Sequence, residues 1–309
     1  MSRVIILDLA VGQDLSVPAA ADIVAAARDA GVSAIRLVDG SAGQILDPGM
    51  VAAYLAARLP DVHWLVDAPT THNAPYNLAR RILALDRATK GRSGLVLRAG
   101  TGDEVSQATV PDPSASGRAR RWAEYAQVLT GLWESFPAAA LLADQAAGLF
   151  ADDSLIWGID HRGSFYRVAG PLDGPASPQG RPVLVAADMD LLDWDSVAGA
   201  ADVVVVSRAQ AAGARGALAD ALRRIGRTRA EVALVGQVEV AGAWASANKV
   251  AAGLEKWATA MGLDGLELRP SGDAAALAIA RNLLPRLQSC SGTSLRAVLG
   301  LPELTGAQP

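Results

Sequence analysis

The sequence predicts an α/β fold, a (β/α)8 TIM barrel with an insertion between the fourth helix and the fifth strand. Three observations point there. Short β-branched runs alternate with longer segments whose apolar residues recur every three or four positions, as strands and covering helices do around a parallel sheet. Eight such units follow one another along the 309 residues, a length suited to one barrel of roughly 250 residues plus insertions. Hydrophobic residues make up 51% and charged residues 19%, which is enough apolar surface for a large core and excludes a disordered chain. A doubly wound open sheet would give nearly the same alternation; the size favours the closed barrel.

In chain order, strands are expected at 4–7, 34–38, 62–66, 94–97, 182–185, 203–206, 231–235 and 265–268. Helices with an apolar face are expected at 18–30, 47–59, 75–86, 118–135, 209–225, 248–261 and 274–287. Asp47 before Pro48, and Asn73 with Pro75 close behind, read as helix caps, because a proline in the first turn gives up an N–H that has no helical partner anyway. Two stretches break the rhythm. Residues 99–117 are rich in Gly, Ser, Pro and Asp, and residues 138–181 separate the fourth helix from the fifth strand. Near strand C-termini such insertions wall a pocket or act as a lid, or else remain plain solvated loops. One domain over 1–300 is expected, followed by a frayed tail at 301–309.

The net charge of -4, from 32 acidic and 28 basic side chains, gives no electrostatic reason to seek nucleic acid or an anionic membrane. A lone cysteine, Cys290, makes no internal disulfide and no cysteine-rich metal site, which favours a reducing, cytoplasmic compartment. The apolar run before Asp8 is too short for a signal segment or a membrane span.

In a barrel the chemistry belongs to the loops after the strands. The residues there are Asp8, Asp39, Asp67, His72, Arg98, Asp188, Ser207, Arg208, Gln237, Glu239, Glu267 and Arg269. No strand-end lysine is available for a Schiff base. With His63, His72 and His161 as the whole histidine complement, and no paired metal-ligand spacing, no metal site is expected. Glu239 and Glu267 leave open a barrel hydrolase or lyase with an acid and base pair, against the plainer reading of solvated or ion-paired carboxylates.

Two blocks are more specific. Residues 71–92 read THNAPYNLARRILALDRATKGR, and residues 160–185 read DHRGSFYRVAGPLDGPASPQGRPVLV. With Gly131-Leu132-Trp133, Ala201-Asp202-Val203-Val204, and Thr293-Ser294-Leu295-Arg296 followed by Leu299-Gly300-Leu301-Pro302, they resemble the bacterial luciferase-like flavin-dependent monooxygenase superfamily, in the branch that holds nitrilotriacetate monooxygenase and the large subunit of pristinamycin synthase. The resemblance runs from about Ala34 onward.

It implies a (β/α)8 barrel that takes reduced FMN from a separate flavin reductase and uses dioxygen to oxygenate a small organic substrate, as a homodimer or heterodimer. His72 and Tyr76, at the third strand's exit, are then the expected catalytic residues. Asn73, Arg98, Asp188, Asp190, Arg269 and Ser271 are the expected cofactor contacts.

The departures lie where a flavin phosphate needs N–H groups, hydroxyls or cations. The Asn, Thr and Ser of the fourth-strand motif are absent from Leu95-Val96-Leu97-Arg98-Ala99-Gly100, and the tyrosine opening the fourth helix falls at Ala119. The fifth-strand turn reads Asp188-Met189-Asp190-Leu191-Leu192-Asp193, where relatives carry glycine, glutamine and serine. Each carboxylate facing a phosphate at 4 Å costs about 1 kcal/mol in water and several times more when partly desolvated. A divalent cation bridging Asp188 and Asp190 would reverse that sign, and nothing in the sequence demands one. The departures leave open a flavin-less, non-catalytic relative, acting as a partner subunit or a small-molecule binding protein.

Overall fold

The computed structural model describes residues 2–12, 14–39, 46–100 and 117–304. Strands β1 (Val4–Leu9), β2 (Ala34–Leu37), β3 (Trp64–Pro69) and β4 (Ser93–Arg98) are followed by the insertion. Two small antiparallel hairpins form there, β5 (Leu141–Asp144) with β6 (Leu149–Ala151) and β7 (His161–Arg162) with β8 (Arg167–Val168). The chain then resumes with β9 (Val183–Ala186), β10 (Val203–Ser207), β11 (Ala233–Val240) and β12 (Gly265–Pro270). The long strands close into one barrel, in the order β1-β2-β3-β4-β9-β10-β11-β12 and back to β1. Neighbours are parallel throughout.

Each strand alternates between two cores, as a period of two requires. Ile5, Leu7, Ile35, Trp64, Val66, Leu95 and Leu97 face outward to the helices. Val4, Ile6, Ala34, Leu65, Val96, Val185 and Val205 fill the barrel. Leu295, Leu299 and Leu301 join that inner cluster and plug its floor. The floor is tight: a Cβ on Gly94 would lie 2.7 Å from the Val183 carbonyl and 2.9 Å from Leu295. Leu301, expected in a frayed tail, is therefore a core residue, 6% exposed; residues 305–309 lie outside those described.

The covering helices are α1 (Val17–Asp29), α2 (Pro48–Ala56), α3 (Pro75–Ala88), α4 (Arg118–Glu134), α5 (Trp194–Ala200), α6 (Ala214–Arg224), α7 (Ala247–Met261) and α8 (Asp273–Ala278). Asp47 caps α2 as expected, accepting from Met50 N at 2.9 Å. Three expectations need correction. Asn73 does not cap α3; Ala74 holds that position without a side-chain bond. The helix expected over 209–225 starts only at Ala214, because Gly213 before it takes a left-handed φ of 79°. The last helix gives way to a π turn at Ile279–Leu283 and a 3-10 turn at Leu284–Arg286, since Pro285 supplies no N–H and crowds the preceding turn. Helix α5, absent from the expected set, is short and capped by Asp193, which accepts from Ser196 N at 2.8 Å.

Beneath the barrel a buried polar network ties the insertion to the strands. Asp86 accepts from Ser93 N and Gln179 Nε2, both at 2.9 Å, and from the Ser177 hydroxyl. Gln179 Oε1 accepts from Arg296 N at 3.0 Å. Arg181 pairs with Asp202 at 2.9 and 3.0 Å, and Arg296 reaches the same carboxylate at 3.3 Å. The motif residues that carry the family resemblance are thus largely scaffold, located at the strand N-termini.

Candidate functional site

The opposite end of the barrel carries the charge. The period of two that points Val4, Ala34, Leu65 and Val96 inward also points Asp8, Arg36, Asp67, Arg98, Gln237, Glu267 and Arg269 into the interior, an even number of residues further along each strand. Arg36 lies at the centre. Its guanidinium donates to Asp67 at 2.8 and 3.0 Å and to Glu267 at 2.8 Å, with all three side chains within 1% of complete burial. Gln237 also donates to Glu267. Above them Arg98 bridges Asp67 at 3.0 Å and Asp188 at 2.7 Å, and Arg269 approaches Asp8 at 3.6 Å.

Acids outnumber bases here: Asp8, Asp39, Asp67, Asp188 and Glu267 face Arg36, Arg98 and Arg269. Burial, then the neighbouring Glu267 charge, push the Asp8 carboxyl well above the usual carboxylate range. Asp39 is also raised, first by burial and then by Asp67. Burial works against the Arg36 charge, yet Asp67, Glu267 and Asp8 hold it above its ordinary value. Neither Asp8 oxygen has a hydrogen-bond partner, and nor does Glu267 Oε2.

The expected site residues fall into two groups. Arg98 and Asp188 come together at the mouth; Asp188 turns inward to Arg98 and accepts from Ala99 N at 2.7 Å. Arg269 stands at the rim, its side chain 40% exposed. Asp190 and Ser271 are exposed, Ala119 and Met189 half-buried. Asp193 is occupied as the α5 cap. The acidic turn therefore does not aim three carboxylates at one point, as its sequence suggested.

His72, Asn73 and Tyr76 form the exit of β3. His72 is exposed with a left-handed φ of 60°, and Tyr76 lies half-buried against the outer core. Asn73 organises the loop, donating to the carbonyls of Pro69 and Thr71 and accepting from Arg81 at 2.9 Å. Tyr125 fixes the same loop through the Asn73 carbonyl at 2.9 Å. Glu239 and Glu267 do not make an acid and base pair: Glu239 is exposed, whereas Glu267 is sealed under Arg36 and Gln237.

Arg36 escaped the reading of strand ends because it sits inside a short apolar strand. The signal was parity: an arginine in register with Asp8 and Leu65 on inward positions can be buried only with carboxylates beside it. Among the described residues no group of three or more His, Cys, Asp or Glu is placed to hold a metal ion, and no helix is long and apolar enough to cross a membrane.

Several backbone N–H groups at this end of the barrel that could meet an anion are already engaged. The N–H groups of Leu191 and Leu192 are engaged by the Asp188 carbonyl, that of Ala99 by the Asp188 carboxylate, that of Ser196 by Asp193, and that of Ser271 by the Val240 carbonyl. The stretch 101–116, most of the first expected insertion, lies outside the described residues.

Comparison with known proteins supplies the lineage. The model of the luciferase-like monooxygenase family matches residues 7–279. Nitrilotriacetate monooxygenase component A of Aminobacter aminovorans is 32% identical over 167 residues, 53% of this chain and 37% of that protein. A pristinamycin IIA synthase subunit from Streptomyces pristinaespiralis is 31% identical over 189 residues, 58% of this chain and 63% of that one. The matched segment thus spans between about a third and two thirds of these relatives' length. In fold, the EDTA monooxygenase from Chelativorans sp. BNC1 superposes with a TM-score of 0.79 at 18% identity, covering 98% of this chain and 99% of that one. The closed parallel barrel, the motif network beneath it and the family match across nearly all its strands agree: this chain belongs to the luciferase-like monooxygenase family.

Proposed function

We propose that this chain is the oxygenating component of a two-component flavin-dependent monooxygenase, taking reduced FMN from a separate flavin reductase and, with dioxygen, oxygenating a small organic molecule. The observation that carries the reading is the family match over residues 7–279 on a barrel whose polar inward-facing side chains converge at the strand C-termini, where barrels of this type hold their chemistry. The relatives named as monooxygenases support the reaction class.

The chain's own residues have a definable part in it. Arg36 holds Asp67 and Glu267 as a rigid floor. The half-exposed Arg98 and Arg269 present cationic edges at the rim, and the β3 exit, pinned by Asn73 and Tyr125, fixes one wall. A charged floor set in a low-dielectric interior acts strongly on any polar group laid over it.

The test supplies reduced FMN from a generic reductase and follows peroxide released into solution. Reduced flavin left to react freely turns its electrons over to peroxide. With a substrate among a panel of small sulfides, amines and ketones, this protein is expected to give a product heavier by one oxygen atom and to lower the peroxide yield by the same number of equivalents, the second oxygen atom leaving as water. A peroxide yield indifferent to the protein, with no oxygenated product, contradicts the proposal and leaves a barrel without flavin chemistry.

A further inference from the structure

The underside of the barrel, remote from the mouth, holds a cavity of about 590 Å3 at the N-terminal ends of β1 and β11, bordered by the start of α6 and the end of α7. Every residue that lines it lies among those described. Its charged side chains are Arg3, Arg215, Arg229 and Asp264. Arg229 donates to Asp264 at 2.6 Å and to the Val232 carbonyl, while its buried Nε has no partner. Arg3 donates to the Leu263 carbonyl and, at 2.7 Å, to the Thr259 hydroxyl, neither of which carries a charge. Arg215 is exposed and has no hydrogen bond or ion pair among the described residues. Its side chain lies along the backbone of Gly262, where a Cβ would come within 2.7 Å of Arg215 Cδ and 3.0 Å of Nη1. Three guanidinium groups against one carboxylate leave two positive charges, and the C-terminal end of α7 offsets about half a charge. More than one positive charge therefore remains, which a monoanion does not neutralise and a dianion does. Guanidinium forks match the oxygens of a phosphate, and the cavity's size falls within the roughly 300–1,000 Å3 of small-molecule sites.

We propose that this underside cavity binds a phosphate dianion, free or as the head of a small monoester, between Arg3, Arg215 and Arg229. Arg215 supplies the uncommitted fork. Arg3 and Arg229, held in place by the bonds they already make, supply charge. The site is independent of the flavin reading given above. Cys290, the chain's one cysteine, is half-buried in the lining of the same cavity, so its reactivity reports whether the cavity is occupied.

The test follows alkylation of Cys290 in the full chain by iodoacetamide, an uncharged reagent, during titration with inorganic phosphate, with glycerol 3-phosphate and, at matched ionic strength, with acetate. Either phosphate is expected to slow the reaction at least fivefold, saturating at millimolar concentration, while acetate leaves the rate unchanged. Whichever phosphate acts at the lower concentration identifies the source, and either order upholds the site. A rate indifferent to both phosphates, or slowed as much by acetate, overturns the inference. Arg215→Ala is expected to raise the phosphate concentration for half-maximal protection at least tenfold. Unchanged protection in the folded variant overturns the site as drawn, and if that variant does not fold the protection of the unsubstituted chain decides alone.

Discussion

At the scale of single residues, the barrel interior divides Asp8 and Arg36 into opposite problems. Asp8 is 2% exposed and its oxygens lack hydrogen-bond partners, so burial and Glu267 favour its protonated form. A carboxyl raised in the folded state keeps a proton that the unfolded chain loses near pH 4; its contribution to stability is full below that pH and is lost as pH rises through the folded value. Asp8→Asn is therefore expected to melt at a higher temperature than the parent at pH 8, with the gain shrinking toward pH 4. Infrared spectra over a pH titration should show in the parent a protonated carboxyl band that persists above the pH at which a free aspartate ionises and that the variant lacks; a parent without such a band would contradict the raised carboxyl. Arg36→Met leaves Glu267 buried without a cation and Asp67 with Arg98 alone, and removing one partner of such a network costs about 3–5 kcal/mol. Urea unfolding measures it; a loss below about 1 kcal/mol would mean that Arg36 does not neutralise the floor.

At the scale of elements, the sequence motifs and the chemistry occupy opposite ends of the barrel. Gln179, in the second of the two blocks that resemble the family, joins the insertion to β4 and to the C-terminal plug through Asp86, the Ser93 carbonyl and Arg296 N. Gln179→Ala strands several buried polar groups, each at about 1–3 kcal/mol, and is expected to lower stability by about 3 kcal/mol or more while leaving ligand affinity in the folded fraction unchanged. Chemical denaturation and calorimetry on one preparation separate the two. All eight barrel strands were legible in the sequence, because β-branched runs such as 203–206 bury both faces and read alike whatever their neighbours. Helix α5 was not: at seven residues, Trp194–Ala200, it is too short to show a period, and only Asp193 marks its start. The charge network was half legible. Asp8, Asp67, Arg98, Glu267 and Arg269 stand at strand ends, but their partners follow from the closure of the barrel, which brings β12 beside β1 across the whole length of the chain. For the same reason the acidic turn misled: Asp188 looks like a repulsive charge until Arg98, 90 residues away in sequence, is placed beside it.

At the scale of the whole molecule, a buried hydrogen-bonded scaffold lies at one end of the barrel and the charge network at the other. The buried network beneath the barrel links the insertion, α3 and the C-terminal plug into one unit, and the Arg36 network ties the strands together at the other end. We propose that this mouth seats a flavin. The most direct measurement is a crystal structure after anaerobic soaking with reduced flavin at saturating concentration. The ring is expected over the Arg36–Glu267 floor, between Arg98 and Arg269, at the C-terminal ends of the strands. A mouth without ring density at saturation, or a flavin bound on any other face of the barrel, would contradict it.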